Sequence, residues 1–279
     1  MSTNILSVLM CPPDYFTVRD VKNPFMRGAE PVDAALAARQ WQGLRRAFER
    51  AGAVTASIDP VKDLEDMVFA ANQCFAGTGA RHRRFVVPSR MRFASREREV
   101  PYYVAWFSAR GYDVVDLALD GDEYFEGHGD ALWHPGSARV WAGFGFRSTP
   151  GAIARLAGAL DLEAVETISL ELIDETFYHL DTCFAPLNEG AALYYPGAFA
   201  PDALRSLQGG WSRLHAVSRE DAARFACNGV ALGGTYVASH LSANLQAILR
   251  DEGLQPVVVD LSEFEKAGGS AFCLKTFFD

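Results

Sequence analysis

No stretch of this 279-residue chain is an uninterrupted apolar run long enough to span a bilayer. Its start, Met1 to Met10, lacks the basic opening and cleavage-site pattern of a secretory leader. Cysteine is scarce: five residues, an odd number, scattered at positions 11, 74, 183, 227 and 273. That pattern excludes a disulfide framework and fits a reducing compartment, so a cytoplasmic protein is expected. Positive charge is in deficit, with 26 Lys and Arg against 35 Asp and Glu and a net charge of -9. Nucleic acid and anionic membrane are thereby disfavoured as main partners, although a local cluster of arginines could still hold an anionic group. No Gly-Lys-Ser/Thr phosphate loop occurs. Gly143-Phe144-Gly145 lacks the third glycine and the downstream acid of a dinucleotide site. His128, His134, His179 and the cysteines fall in no metal-ligand spacing, so neither a metal nor a cofactor is expected. No low-complexity linker divides the chain, which reads as one domain over 1–279.

What remains is an ordinary globular composition, 49% hydrophobic and 22% charged, with helical and strand patterns alternating from end to end. Strands are expected over Asn4–Met10, Ala53–Ile58, Phe85–Pro88, Val165–Leu172, Phe177–Phe184, Ala191–Tyr195 and Pro256–Leu261. Helices are expected over Pro31–Ala51, Arg98–Arg110 (with Tyr102, Ala105 and Trp106 on one side), Thr149–Leu160, Pro201–Leu207, Ser218–Ala226 and Ser239–Glu252. The class is α/β.

Four stretches could carry chemistry. Gly268-Gly269-Ser270-Ala271-Phe272-Cys273 lets the chain turn sharply before a side chain whose thiolate is a strong nucleophile. The plainer reading makes Cys273 a small buried hydrophobe in a terminal strand. If Phe177–Phe184 is a strand, His179 and Asp181 share a face, and a histidine beside a carboxylate can pass protons. A structural His–Asp pair reads equally well. In Phe125-Glu126-Gly127-His128-Gly129-Asp130, close packing would raise the pKa of Glu126 and keep it able to carry a proton; the alternative is a polar turn. In Leu64–Gln73, an extended chain would align Asp66 and Asn72 on one face, whereas a surface helix would not.

The ordered set of Asp66 and Asn72, Glu126-Gly-x-Gly-Asp130, Arg147-Ser-Thr, His179-Leu-Asp181 and Gly-Gly-x-x-x-Cys273 resembles the guanidino-group-modifying superfamily. Arginine deiminase, dimethylarginine dimethylaminohydrolase, arginine dihydrolase and the glycine amidinotransferases belong to it. The resemblance covers nearly the whole chain. It implies a single-domain five-bladed α/β propeller (a pentein) with a central active-site channel. It also implies Cys273 as nucleophile, His179 as general acid/base and Glu126 as a carboxylate on the guanidinium. Asp66 and Asp181 would bind guanidino nitrogens, Arg90 and Arg147 the substrate α-carboxylate, and Asn23 would close over that end. The partner implied is a small guanidino amino acid; a monomer and a homo-oligomer fit equally. Ala71-Asn72 departs from the Arg-Asp pair that deiminases and dimethylarginine hydrolases tend to carry after the Phe. Asn can hold a neutral ureido group as well as a cation, which favours a dihydrolase that also processes citrulline. An amidinotransferase and a non-catalytic arginine-binding relative are the competing readings.

Overall fold

The computed structural model describes residues 7–79 and 83–279. Among the described residues, fifteen strands form five three-stranded sheets, all built to one plan. In the second sheet, Arg84–Pro88 lies between Cys74–Thr78, antiparallel, and Asp113–Val114, parallel. Arg139–Phe144 lies likewise between Ala131–Trp133 and Glu166–Glu171. Ala191–Tyr194 lies between Phe184–Pro186 and Arg213–Ala216. Thr235–Ala238 lies between Val230–Leu232 and Gln255–Val258. The first sheet draws on both ends of the chain: Ser7–Met10 pairs in parallel with Val54–Ser57 and antiparallel with Thr276–Phe278.

A parallel neighbour needs a crossover, and in each unit a helix lies between the central and the third strand, joined in the second unit by the short turn Ala94–Glu97. These helices are Ala34–Arg50, Val100–Ser108, Pro150–Asp161, Pro201–Gly210 and Ala243–Asp251. Local signals set their ends. The Asp33 carboxylate accepts from Leu36 N at 2.9 Å, and Thr149 caps the helix that Pro150 opens. Central strands are buried almost throughout, as in Val8-Leu9-Met10 and Val140-Trp141-Ala142. Third strands are edges: Val54–Ser57, Arg213–Ala216 and Gln255–Val258 all have exposed ends and half-buried middles. Burial thus falls from the central to the third strand, as it should in a five-bladed propeller whose third strands face outward.

Several expected elements differ. Phe177–Phe184 is no strand but two tight turns, Glu175–Phe177 and Leu180–Thr182, with strand only at Phe184–Pro186. Side chains take the backbone groups that a ladder would need. Asp174 accepts from Thr176 N, Asp130 from Leu180 N, and the Thr182 hydroxyl donates to His179 O. Leu64–Gln73 is neither strand nor helix but a run of turns. Its buried carbonyls are met from outside, Asp66 O and Phe69 O by Arg96 and Met67 O by the Tyr103 hydroxyl. The helix after Arg98 buries Val100, Tyr103 and Phe107 rather than the expected side; Tyr102 is exposed. The last outer strand ends at Val258, three residues short of expectation. Cys273 lies in a turn rather than in a strand.

Candidate active site

The nucleophile candidate is held by its own loop and by one asparagine. Asn228 Oδ1 accepts from Ser270 N at 3.0 Å and Cys273 N at 3.3 Å. Its Nδ2 donates to Asp181 O at 3.0 Å and lies 3.2 Å from Cys273 Sγ. Gly268 carries φ +81° with Asn23 Oδ1 and the Tyr178 hydroxyl each 2.7 Å from where a Cβ would stand, so only glycine fits this turn. The thiol donates to Asp181 Oδ2 at 3.1 Å. Burial, reinforced by the Asp181 charge, pushes the Cys273 thiol well above its usual pKa, so the empty site holds a thiol. Burial likewise pushes Asp181 up to about 7.

His179 Nε2 meets Glu126 Oε2 at 2.8 Å. Arg147 donates to the same oxygen at 2.8 Å, and Arg92 N donates to Oε1 at 3.1 Å. Burial alone would raise the Glu126 pKa. The Arg147 guanidinium, with the hydrogen bond and charge of His179 and the Arg96 charge, overrides it and holds this carboxylate well below its usual range. The expectation of a raised Glu126 is therefore corrected: it is a fixed anion that orients His179. The acid with a raised pKa in that stretch is Asp130, pushed by burial to about 6 while it accepts from Ser148 Oγ and Leu180 N. Glu126-Gly-x-Gly-Asp130 is no exposed polar turn; Gly127–Asp130 is a buried helical turn. A Cβ on Gly129 would stand 2.3 Å from Asn72 Nδ2 and 3.3 Å from His179 Cγ.

Arg147 is clamped between the rings of Phe93 and Tyr178, 4.8 and 4.7 Å from their centroids, and also donates to Lys22 O. Arg96 donates to Asn72 Oδ1 at 3.0 Å, which turns the amide so that Nδ2 faces His179 Nδ1 at 3.5 Å. Asn23 donates to Ala267 O and the Tyr178 hydroxyl while its Oδ1 caps the turn Pro24–Met26. Asn23, Asp66, Asn72, Arg147, His179 and Cys273 line one small cavity of about 20 Å³, roughly room for a single water. Glu126 stands behind His179, and Asp181 beside the sulfur. Arg90 is not brought there. Its guanidinium donates to Gly121 O and lies over the Tyr124 ring, while Arg96 reaches the pocket from the following turn.

Sequence reasoning missed Arg96, Asn228, Lys22 and Tyr178. Lys22 and Tyr178 each adjoin a residue already singled out; Arg96 and Asn228 carry no such signal. A larger cavity of about 790 Å³, lined mostly by hairpin residues and by Trp133 and Phe277, contains neither the thiol nor the His179 ring.

Five repeated ββαβ units around a buried pocket of thiol, imidazole and carboxylates define a pentein. The family model for eukaryotic N,N dimethylarginine dimethylhydrolase matches residues 12–276, and the chain belongs to that family. It is 40% identical over 275 residues to the bifunctional arginine dihydrolase/ornithine cyclodeaminase AgrE of Nostoc sp., covering 98% of this chain and 38% of that protein. The chain thus spans well under half of that relative's length. It is 38% identical over 264 residues to the N(G),N(G)-dimethylarginine dimethylaminohydrolase of Mycobacterium tuberculosis, covering 95% of this chain and 83% of that one. The solved N-terminal domain of ArgZ, a cyanobacterial arginine dihydrolase, superposes with a TM-score of 0.90 at 38% identity, covering 98% of this chain and 97% of the domain.

Proposed function

We propose that this chain is a cysteine-dependent hydrolase that cleaves C–N bonds at the guanidino carbon of L-arginine or a close derivative, of dihydrolase, deiminase or dimethylarginine-hydrolase type. The observation that carries the reading is that Cys273 and His179 line one small cavity, with Asp181 hydrogen-bonded to the sulfur and Glu126 to the imidazole. A guanidinium seated against Asp181 brings positive charge to the sulfur and favours its thiolate. Cys273 Sγ attacks the guanidino carbon; His179 protonates the departing nitrogen, and the C–N bond breaks to leave a covalent thiouronium. His179 then takes a proton from water, whose oxygen replaces the sulfur and leaves a ureido product. Glu126, anionic throughout, holds the imidazole in place. Arg147 takes the carboxylate end, and Asn23 closes over it.

Asn72 supports the dihydrolase variant. Arg96 occupies its oxygen, so the amide presents a donor to the pocket and suits a ureido oxygen in a second round that ends at ornithine. The relative ArgZ has been solved with substrate, and an Asn-to-Ser variant of it is covalently bound to a reaction intermediate. We take the whole stretch as one catalytic unit working in the cytoplasm. All five cysteines are free and buried, and among the described residues no helix is long and apolar enough to cross a membrane.

Incubation with arginine, citrulline, mono- and dimethylarginine and agmatine, with products read by mass spectrometry, tests this reading. Ornithine with ammonia supports a dihydrolase, citrulline alone a deiminase, and an amidino-acceptor product a transferase. Cys273→Ser is expected to abolish turnover yet keep substrate binding by calorimetry; undiminished turnover would sink the mechanism.

A further inference from the structure

Asn228 both shapes the Cys273 loop and touches the sulfur. It is fully buried, and both polar atoms of its amide are in use. Its neighbours decide which way the amide faces. Oδ1 meets Ser270 N and Cys273 N, which can only donate. Nδ2 is therefore on the other side and presents its two hydrogens to Asp181 O at 3.0 Å and to Cys273 Sγ at 3.2 Å.

The backbone that delivers this amide is held under strain. Phe225 stands at φ +62°, a left-handed angle that a bulky side chain rarely takes, and its carbonyl accepts from Asn228 N at 2.9 Å. The Tyr236 hydroxyl donates to Ala226 O at 2.8 Å, and Asn228 O accepts from Phe272 N at 2.9 Å. Such strain persists only where the surroundings over-determine it, and it gathers at functional sites. Asn228 is thus tied to the Cys273 loop by main chain and side chain alike.

Among the described residues the sulfur has two side-chain partners, and they serve different charge states. The thiol donates to Asp181 Oδ2 at 3.1 Å, a bond that needs the proton. The Asn228 N–H needs no proton on sulfur, and a hydrogen bond of this kind strengthens when its acceptor becomes an anion.

We propose that Asn228 is a further catalytic residue, an amide donor that holds the Cys273 thiolate as it forms and again as it departs. The proposal rests on the hydrolase reading above and adds a group to that site. Cys273 gives its proton to solvent, and the sulfur pair forms the S–C bond to the guanidino carbon while His179 protonates the departing nitrogen. In the last step water oxygen takes over that carbon, the S–C bond breaks, and its pair returns to sulfur beneath the Asn228 N–H. One water proton is then on His179 and the other passes to solvent as the ureido carbonyl forms. A donor already fixed where charge develops needs no rearrangement at that moment. It makes the thiolate less nucleophilic, but that loss offsets only about half, on a logarithmic scale, of the gain in thiolate population.

The test reads Asn228→Ala in two ways. Alkylation of Cys273 by iodoacetamide at pH 9 needs no substrate, and mass spectrometry of the Cys273 peptide separates it from the four other free cysteines. A hydrogen bond to an anion changes the thiolate equilibrium by about ten- to hundredfold; with half of that returned as nucleophilicity, alkylation should slow about three- to tenfold. Steady-state kcat should fall about a hundredfold, with KM within about threefold of the wild type. A purely structural Asn228 gives alkylation the opposite sign, because a loosened loop admits water and probe and relieves the burial that keeps the sulfur protonated. Unchanged or faster alkylation, or an unchanged kcat, overturns the proposal. If Asn228→Ala does not fold, Asn228→Asp keeps an oxygen for the two loop amides, loses the donor and is held to the same outcomes. Slower alkylation in a protein whose wild type turns over no guanidino compound would keep the donor on the sulfur and overturn the hydrolase reading instead.

Discussion

Asp181 sits beside the sulfur and acts on it in two opposed ways. Burial, then the Asp181 charge and hydrogen bond, keep Cys273 protonated; in the proposed reaction that same carboxylate would hold the guanidinium whose charge favours the thiolate. Asp181→Asn should therefore alkylate faster with iodoacetamide at pH 8 while turnover falls by about a hundredfold. A variant that slowed in both would refute this division. A linkage effect follows as well. Folded Asp181 keeps its proton up to about pH 7, whereas an unfolded aspartate loses it near about 3.9. The folded state binds more protons in that window, so this group's contribution to stability falls as pH rises from about 4 to about 7. Asp181→Asn removes the cost, a gain of up to about 4 kcal/mol at pH 8 and about 1–2 kcal/mol at pH 5. Thermal melts at both pH values check it, and a pH-independent difference would count against it. Glu126 has the reverse sign: its depressed pKa supplies stability above about pH 4 that is lost only in acid. Glu126→Gln strips the charge from a buried trio with Arg147 and His179, costing about 3–5 kcal/mol, and should lower kcat by two or more orders of magnitude.

Single turns, rather than long helices or strands, hold the candidate catalytic side chains. Gly127–Asp130 and Leu180–Thr182 pack on one another, and Gly129 lets the Asn72 amide and the His179 ring approach its backbone. Gly129→Ala should leave the fold measurable by circular dichroism yet depress kcat by about a hundredfold by pushing the imidazole aside; near-normal kcat would show that the approach is not needed. These turns are where the sequence misled. Phe177, Tyr178, Thr182 and Phe184 have strand propensity, but that preference is weak beside side chains that satisfy the backbone locally. Leu64–Gln73 was ambiguous because its order depends on Arg96 and Tyr103, which lie some thirty residues on and leave no periodic trace. Long helices were readable: Asp33, Thr149 and Ser242 each cap a helix close to the expected start. His179, Asp181, Glu126 and Cys273 were legible as an ordered set of residue types, whereas Asn228, which joins two of them, has nothing around it to single it out.

At the scale of the molecule, the five units share a pattern of burial and connection but few residues. Ser7–Met10 (SVLM) and Ala191–Tyr194 (AALY) play the same central part without resembling each other, so the repeat is visible in space and not in the string. The first blade pairs the first and the last described strands, and the Cys273 loop leads into that last strand. Removing the residues after Lys275 should expose Val8 and Leu9, lower Tm by well over about 5 °C and abolish turnover together. Loss of activity at unchanged Tm would argue that the strand serves only the site.

That seam also sets an order of events in time. Ser7 lies opposite Phe278, and contacts so distant in sequence are slow to close, so the pairing is expected late in folding. The sulfur stands three residues ahead of the strand that fastens it. During refolding, catalysis should therefore return after most of the far-ultraviolet signal and in step with amide protection at Val8, making regained turnover a clock for the moment the circle shuts.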